Sequence, residues 1–197
     1  DCGLKTIVMM YVTMMPVIIA GVANMYFCKS DLLAWAAVPI DGGYSLRGKR
    51  FLGDNKTWKG FWGMIACTVL AQAVWGLILG LIPNFLSLSY LASYGNDIFF
   101  NFFMGFLLGT AYALCELPNS FIKRRLSIPP GKSGKGYLKW VFLVVDQIDS
   151  LIGCTLILAI FAPMSLLQFL GYLILGGLTH LAVNGLLHHL KVRESRF

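Results

Sequence analysis

The chain has 197 residues, of which 57% are hydrophobic and only 13% are charged. A soluble domain carries about 25% charged residues, so the composition excludes an ordinary water-soluble domain and predicts an all-α membrane protein. The formal net charge is +7, but no nucleic-acid-binding module is visible, and we expect no nucleic-acid partner.

Five apolar segments are each long enough for a helix to cross about 30 Å of hydrocarbon. They cover residues 6–27, 61–83, 98–117, 140–163 and 166–190. The chain contains no internal repeat and no second domain. We therefore expect a single integral membrane domain over residues 1–197, with polar loops at 28–60 and 118–139.

The positive charges lie on one side of this arrangement. Every Lys and Arg except Lys5 falls in segments 28–60, 118–139 and 191–197, which alternating spans place on the same face. By the positive-inside rule this face is cytoplasmic. The sequence thus predicts a multi-pass protein of the cell membrane, in contact with membrane lipids, with its N-terminus outside and its C-terminus in the cytoplasm.

The first polar loop ends in a run of small and basic residues that leads directly into the second span. The run is Gly53-Asp54-Asn55-Lys56-Thr57-Trp58-Lys59-Gly60. Glycine allows backbone N–H groups to approach an anion, lysine supplies charge, and a helix N-terminus attracts phosphate. The run is not a Walker A motif, and a solvated basic linker is the alternative interpretation.

The fourth span carries two carboxylates inside an otherwise apolar run. Asp146 and Asp149 are three residues apart and share one helix face. Carboxylates at membrane depth indicate function, and two so close would repel unless a cation lay between them. Oxygen ligands beside phosphates suit Mg²⁺. The alternative is that a Lys or Arg of a neighbouring helix neutralises the two carboxylates. Glu116 is a weaker candidate for a third metal ligand.

Two other groups of residues have more ordinary interpretations. His180, Asn184 and His188 lie four residues apart in the last span, where we expect packed side chains, with Asn184 facing the bundle interior. The five cysteines contain no CxxC pair, and we expect neither a zinc site nor a disulfide framework.

The two loops together resemble a known family. The run Asn119-Ser120-Phe-Ile-Lys123-Arg124-Arg125, the Pro130-Gly131 pair and Asp146-Gln-Ile-Asp149 resemble the signature of the CDP-diglyceride synthase (phosphatidate cytidylyltransferase) superfamily. Asp41-Gly-Gly, Gly48-Lys-Arg and the run 53–60 are similar to the first cytoplasmic loop of CDP-archaeol synthases, a small five-helix branch.

The resemblance implies a CTP-dependent cytidylyltransferase of membrane phospholipid biosynthesis. CTP and an anionic lipid phosphate, in this branch an isoprenoid glyceryl diether phosphate, would give a CDP-lipid and pyrophosphate. It implies one or two Mg²⁺ ions on Asp146 and Asp149, with Glu116 as the weaker ligand. The catalytic set is Lys56, Lys123, Arg124, Asp146 and Asp149. Contacts to CTP or phosphate are expected from Asp41, Gly53, Asn55, Lys56, Thr57, Lys59, Gly60, Asn119, Ser120, Lys123 and Arg124.

Three other functions compete with this interpretation. A small ion-coupled transporter would use Asp146 and Asp149 as an ion site, but it leaves the run 53–60 unexplained. A CDP-alcohol phosphotransferase would need an Ala-Arg continuation after Asp41-Gly-Gly, which is absent. A lipid-binding assembly factor without chemistry would show no response to CTP.

Overall fold

The structure is a computed structural model and describes residues 2–189. Five long helices form the bundle: α1 (Cys2–Lys29), α2 (Trp58–Leu81), α4 (Ile98–Arg125), α5 (Gly136–Phe161) and α6 (Leu166–His189), with a short α3 (Pro83–Leu86) after α2. All five are long and apolar enough to span a membrane, which confirms the predicted helical membrane architecture. The predicted end of the last span at residue 190 and the tail 191–197 lie outside the described residues.

Helix α4 extends farther than the sequence prediction. It begins at Ile98, where the Asp97 side chain accepts a hydrogen bond from Phe100 N at 3.0 Å, but it continues past Pro118 to Arg125 instead of ending at residue 117. Proline removes one intrahelical hydrogen bond, and contacts between the turns after it and α5 support the continuation. Lys123 and Arg124 therefore lie on a helix and not in the predicted loop 118–139.

Glycine allows α4 to lie against the backbones of both its neighbours. A Cβ at Gly105 would come within 2.6 Å of Val69 Cα in α2, and a Cβ at Gly109 within 2.8 Å of Ile65 Cα. Gly153 of α5 lies equally close to the Ala111 carbonyl. Such spacing is typical of close helix packing in membranes. Helix α4 is thus the centre of the bundle, while α1 packs on α2 and α6 on α5.

The first loop folds onto the end of α4. Strands β1 (Ser45–Leu46) and β2 (Lys49–Arg50) form an antiparallel hairpin whose turn residues Arg47 and Gly48 both have positive φ. The Arg125 guanidinium donates to the carbonyls of Leu46, Lys49 and Arg50 at 2.6, 2.8 and 2.5 Å. This face of the bundle, which carries residues 30–57, is called the hairpin face below.

Candidate active site

A polar cavity of about 190 Å³ opens at the hairpin face between α4, α5, α6 and the first loop. We call it the acidic chamber because Asp146 and Asp149 of α5 line it together with Asn119, Lys123 and Arg124 of α4. Asn55, Lys56 and Ser120 also line its wall. Three segments far apart in sequence, 55–56, 119–124 and 146–149, therefore meet at one site.

The two aspartates face α4 and are linked through one amide. Asn119 Nδ2 donates to Asp146 Oδ1 at 2.8 Å and to Asp149 Oδ2 at 2.7 Å. The Lys123 ammonium contacts both oxygens of Asp146 at 2.7 and 2.6 Å, and Ser133 Oγ lies 3.3 Å from Oδ2. The i, i+3 pair is held inside the bundle, and the cation that neutralises Asp146 is a lysine of the neighbouring helix.

The oxygen atoms of this pair have the chemistry that Mg²⁺ prefers. Asp149 has no ion pair within residues 2–189, and its other hydrogen bond comes from Ser150 N at 2.7 Å. The buried Asn119 Oδ1 has no hydrogen-bond partner in the described chain. Mg²⁺ is usually held by one or two carboxylates together with water and substrate phosphates, and the pair fits that pattern.

Glu116 has a different partner from the one predicted. Its carboxylate pairs with the Lys56 ammonium, and among residues 2–189 no group of three acidic, His or Cys side chains could hold a metal ion. Burial disfavours the Lys56 ammonium, but the Glu116 carboxylate and the two aspartates raise the pKa of Lys56 above its usual value. The assignment of Glu116 as a weaker metal ligand stays a prediction, since Glu116 lines the acidic chamber with both aspartates but pairs with Lys56 in this structure.

The Lys56–Glu116 pair stands between two cavities. On its other side lies a polar cavity of about 300 Å³ that includes Asn24, Cys28, Thr57 and Gly60. Asn55, Lys56 and Glu116 line both this cavity and the acidic chamber. The Thr57 side chain also begins α2 by accepting from Gly60 N at 3.1 Å. Four of the predicted first-loop residues, 55–57 and 60, thus lie together.

Lys59 and Asp41 lie in the scaffold of the loop and line neither cavity. Lys59 is 3% exposed and donates to the carbonyls of Ser30 at 2.6 Å and Cys28 at 3.3 Å, at the end of α1. A lysine so placed completes a helix C-terminus, so the predicted phosphate contact of Lys59 is corrected to a structural one.

Asp41 organises the turn before Gly53. Its Oδ2 accepts from Leu52 N at 2.9 Å and Gly53 N at 3.0 Å, and its Oδ1 accepts from Arg50 at 2.7 Å. Burial disfavours the carboxylate, but these hydrogen bonds hold the pKa of Asp41 well below its usual range. The predicted substrate contact of Asp41 is likewise corrected, because its oxygens are engaged inside the loop. Gly53 lies against Arg124, outside the chamber.

Arg124 presents unpaired donors in a buried setting. The residue is 6% exposed, and its Nε and Nη1 have no hydrogen-bond partner among the described residues. A buried charge without a partner is unfavourable unless an anion binds to it. The unpaired donors are compatible with an anion contact of Arg124, which stays a prediction.

The sequence interpretation missed the contribution of α6. His180 and Asn184 line the acidic chamber, the second polar cavity and an apolar groove. Asn184 Nδ2 donates to Gln147 Oε1 at 3.2 Å, and His180 Nδ1 lies 3.3 Å from the Gln147 carbonyl. The four-residue spacing of His180 and Asn184 indicated a polar stripe on one face of α6, but the sequence analysis expected these side chains only to pack in the bundle. The side chain of His188 lies outside the described part.

The apolar groove runs between α1 and α6 and has a volume of about 90 Å³. Met10, Met14 and Val17 line it from α1, and Leu175 and Leu187 from α6. Tyr11 and Thr179 join the two helices across it through a 3.0 Å hydrogen bond between their hydroxyls. His180 and Asn184 line both the groove and the polar cavities, so the groove adjoins them.

Comparison with known proteins identifies the family of the chain. A family model described as CarS-like CDP-archaeol synthase matches residues 4–197. The chain belongs to the CDP-archaeol synthase family. This confirms the resemblance drawn from the two loop motifs, and the residues that carried it now line or support one site.

Curated relatives within the CDP-archaeol synthase family come from archaea. The Pyrococcus horikoshii protein is 37% identical over 121 residues, which cover 60% of this chain and 64% of the relative. The Pyrococcus furiosus protein is 36% identical, with 60% and 65% covered. The chain thus spans a little under two thirds of these two relatives. The Archaeoglobus fulgidus protein is 32% identical over 169 residues, with 83% and 86% covered. Each is named CDP-archaeol synthase.

A solved structure shares the fold of this family member. It is that of an intramembrane enzyme for archaeal membrane lipids biosynthesis, and it superposes with a TM-score of 0.61. The sequences are 22% identical, and the match covers 88% of this chain and 91% of the other. The likeness supports the helical membrane fold.

Proposed function

We propose that this chain is a CTP-dependent cytidylyltransferase that converts a lipid phosphate into a CDP-lipid and pyrophosphate. One observation carries the proposal: Asn119 of α4 links the two aspartates of α5, and Lys123 pairs with Asp146, in a chamber that Lys56 also lines. Acidic and basic groups in one cavity at a helix end suit a triphosphate and its cation. Family membership gives the reaction class.

The reaction brings two anions together. An oxygen of the lipid phosphate attacks the α-phosphorus of CTP, the bond to the α,β-bridging oxygen breaks, and pyrophosphate leaves with the electron pair. The attacking oxygen is already ionised near neutral pH, so no general base is needed. Catalysis then consists mainly of positioning and of compensating negative charge.

The basic side chains of the chamber supply that compensation. Arg124 offers unpaired N–H groups, Lys123 lies beside Asp146, and Lys56 lies across the cavity with Asn55. Asp146 and Asp149 would hold one or two Mg²⁺ ions, which would supply positive charge to the triphosphate oxygens. Asn119 keeps the two carboxylates adjacent, and Ser120 adds a neutral hydroxyl to the wall.

The groove between α1 and α6 is the proposed site of the hydrocarbon chains. It is apolar, and it meets the polar cavities at His180 and Asn184, so a lipid with its chains in the groove would present its phosphate to the chamber. The family points to an isoprenoid glyceryl diether phosphate or a related lipid as the substrate.

The proposed orientation places the hairpin face in the cytoplasm, where CTP is available. Lysine and arginine are concentrated at this face, whereas the connection between α2 and α4, residues 82–97, contains neither. The positive-inside rule then puts the N-terminus outside and the C-terminus in the cytoplasm.

The test is an assay of purified protein with labelled CTP, Mg²⁺ and lipid phosphates that differ in ether or ester linkage. Asp149→Asn should reduce turnover by about 10²-fold or more, as expected for loss of a strong electrostatic group. Asp31→Asn is the matched control, because Asp31 is exposed at the same face and lines none of the described cavities. Wild-type turnover in Asp149→Asn would overturn the metal assignment, and no CDP-lipid from any lipid would overturn the function.

A further inference from the structure

A further cavity, distinct from the two polar cavities and the apolar groove described above, adjoins the acidic chamber on the far side of Arg124 and has basic residues in its walls. We call it the basic cleft; its volume is about 230 Å³, and Lys49, Arg50, Gly53, Asp54, Arg124 and residues 127–130 line it. At about 30 Å³ for each water molecule, it has room for about seven waters or for a small polyatomic anion. It lies where the hairpin meets the end of α4.

Arg124 forms a wall that the basic cleft and the acidic chamber share. Its Nη1 packs beside Gly53 and Pro130, because a Cβ at Gly53 would lie 3.2 Å from Nη1 and 3.2 Å from Pro130 Cγ. Gly53 and Pro130 line the cleft and not the chamber. A buried N–H group without a hydrogen-bond partner thus lies directly behind the wall of the basic cleft.

The other basic groups of the cleft are held in place by the loop. Lys49 Nζ donates to the Arg125 carbonyl at 2.7 Å, and Arg50 contacts Asp41 and Asp54 at 2.7 and 2.5 Å. Arg50 Nε nevertheless stays buried without a partner in the described residues. Asp41 and Asp54 pair with Arg50, so Lys49 and Arg124 carry the unbalanced positive charge of the cleft. The cleft is therefore pre-organised for an anion.

We propose that the basic cleft is a second oxyanion site that receives inorganic pyrophosphate when it leaves the acidic chamber. The identity of the anion rests on the proposed function, which releases a diphosphate beside Arg124. Guanidinium N–H groups point in several fixed directions, so one Arg124 side chain can contact an anion on either of its two sides. An anion in the cleft would be separated from the lipid groove, which lies beyond His180 and Asn184.

The test is titration of the purified full chain with inorganic pyrophosphate in a neutral detergent, by calorimetry and without CTP. Lys49→Gln should weaken pyrophosphate binding about tenfold, as expected for loss of one charged contact, and Lys49→Arg should restore it. Lys139→Gln is the control, since it removes the same charge from an exposed position that lines none of the described cavities. The KM for CTP should be the same in all three variants.

Equal pyrophosphate affinity in Lys49→Gln and Lys139→Gln would overturn the proposal. The proposal would also be overturned if Lys49→Gln changed pyrophosphate binding only in nanodiscs containing anionic lipid and not in neutral detergent. The cleft would then hold a lipid phosphate headgroup. Since pyrophosphate binding is measured without turnover, a chain that binds it as predicted but makes no CDP-lipid would overturn the proposed function and leave the cleft assignment standing.

Discussion

At the level of single residues, the Asn119 amide holds the two acidic side chains side by side. Its two N–H bonds reach one oxygen of each aspartate at 2.8 and 2.7 Å. Without that donor, the carboxylates would repel each other. Lys123 contacts only Asp146 and would not keep Asp149 in place.

Asn119→Ala should therefore lower the affinity for divalent cations by about 10–100-fold, the usual effect of removing a group that orients metal ligands. Mn²⁺ titration followed by electron paramagnetic resonance measures this without turnover. Asn101→Ala is the control, because Asn101 is buried on the same helix but bonds to Gln72 and Asn96 at the opposite end. Equal Mn²⁺ affinity in both variants would contradict the role of Asn119.

Lys56 and Lys59 should separate activity from stability. Lys59→Gln removes a donor to two carbonyls at the end of α1 and should cost about 1–3 kcal/mol, seen as a lower melting temperature with an unchanged KM for CTP. Lys56→Gln should instead lower kcat/KM at least tenfold, since it removes charge from the chamber wall. If Lys59→Gln raised the KM for CTP without lowering the melting temperature, Lys59 would be a phosphate contact and not a structural residue.

At the level of elements, glycines bring α2 and α4 into backbone contact. Gly105→Ala would place a methyl group 2.6 Å from Val69 Cα, so the helices must move apart, at a cost of about 1–3 kcal/mol. Thermal unfolding in detergent measures the loss. Gly185→Ala in α6, where a Cβ meets nothing within 4 Å, should leave stability unchanged or raise it. A similar melting temperature for the two variants would contradict this packing.

The turn around Asp41 should depend on pH in a defined direction. Because the folded pKa of Asp41 is lowered, its stabilisation is fully present above the unfolded value of about 4 and is lost as the pH falls toward the folded pKa. Hydrogen exchange at Leu52 and Gly53, corrected for intrinsic rates, should show constant protection from pH 5 to 8. Asp41→Asn should lose about tenfold protection already at pH 7, since an amide has only one acceptor oxygen; unchanged protection would contradict the prediction.

The spans were predictable because long apolar runs have few other solutions, and the two loop motifs indicated which segments meet at the candidate site. The role of each residue within a motif was not predictable from the sequence. Lys56 and Lys59 are alike in sequence, and only the approach of the α1 carbonyls assigns Lys59 to the scaffold. The extension of α4 past Pro118 depends on α5. His180 looked like a packed residue because nothing in α6 alone reveals the cavities beside it.

At the level of the whole molecule, the orientation proposal has a direct test. On a background in which the other cysteines are replaced, Cys28, exposed at the hairpin face, should react with a membrane-impermeant maleimide only after the cells are permeabilised. Ser87→Cys, on the exposed connection at the opposite end, should react in intact cells. The reverse pattern would invert the topology and place the chamber outside the cytoplasm.

Arg125 anchors the hairpin through contacts that do not depend on the side chains of the hairpin residues. The guanidinium recognises main-chain carbonyls, which every amino acid possesses. These three contacts would survive substitution of residues 46, 49 and 50, although Lys49 and Arg50 also make side-chain contacts of their own. Selection, or a protein engineer, can alter which ligand the neighbouring surface prefers while the architecture beneath it stays the same.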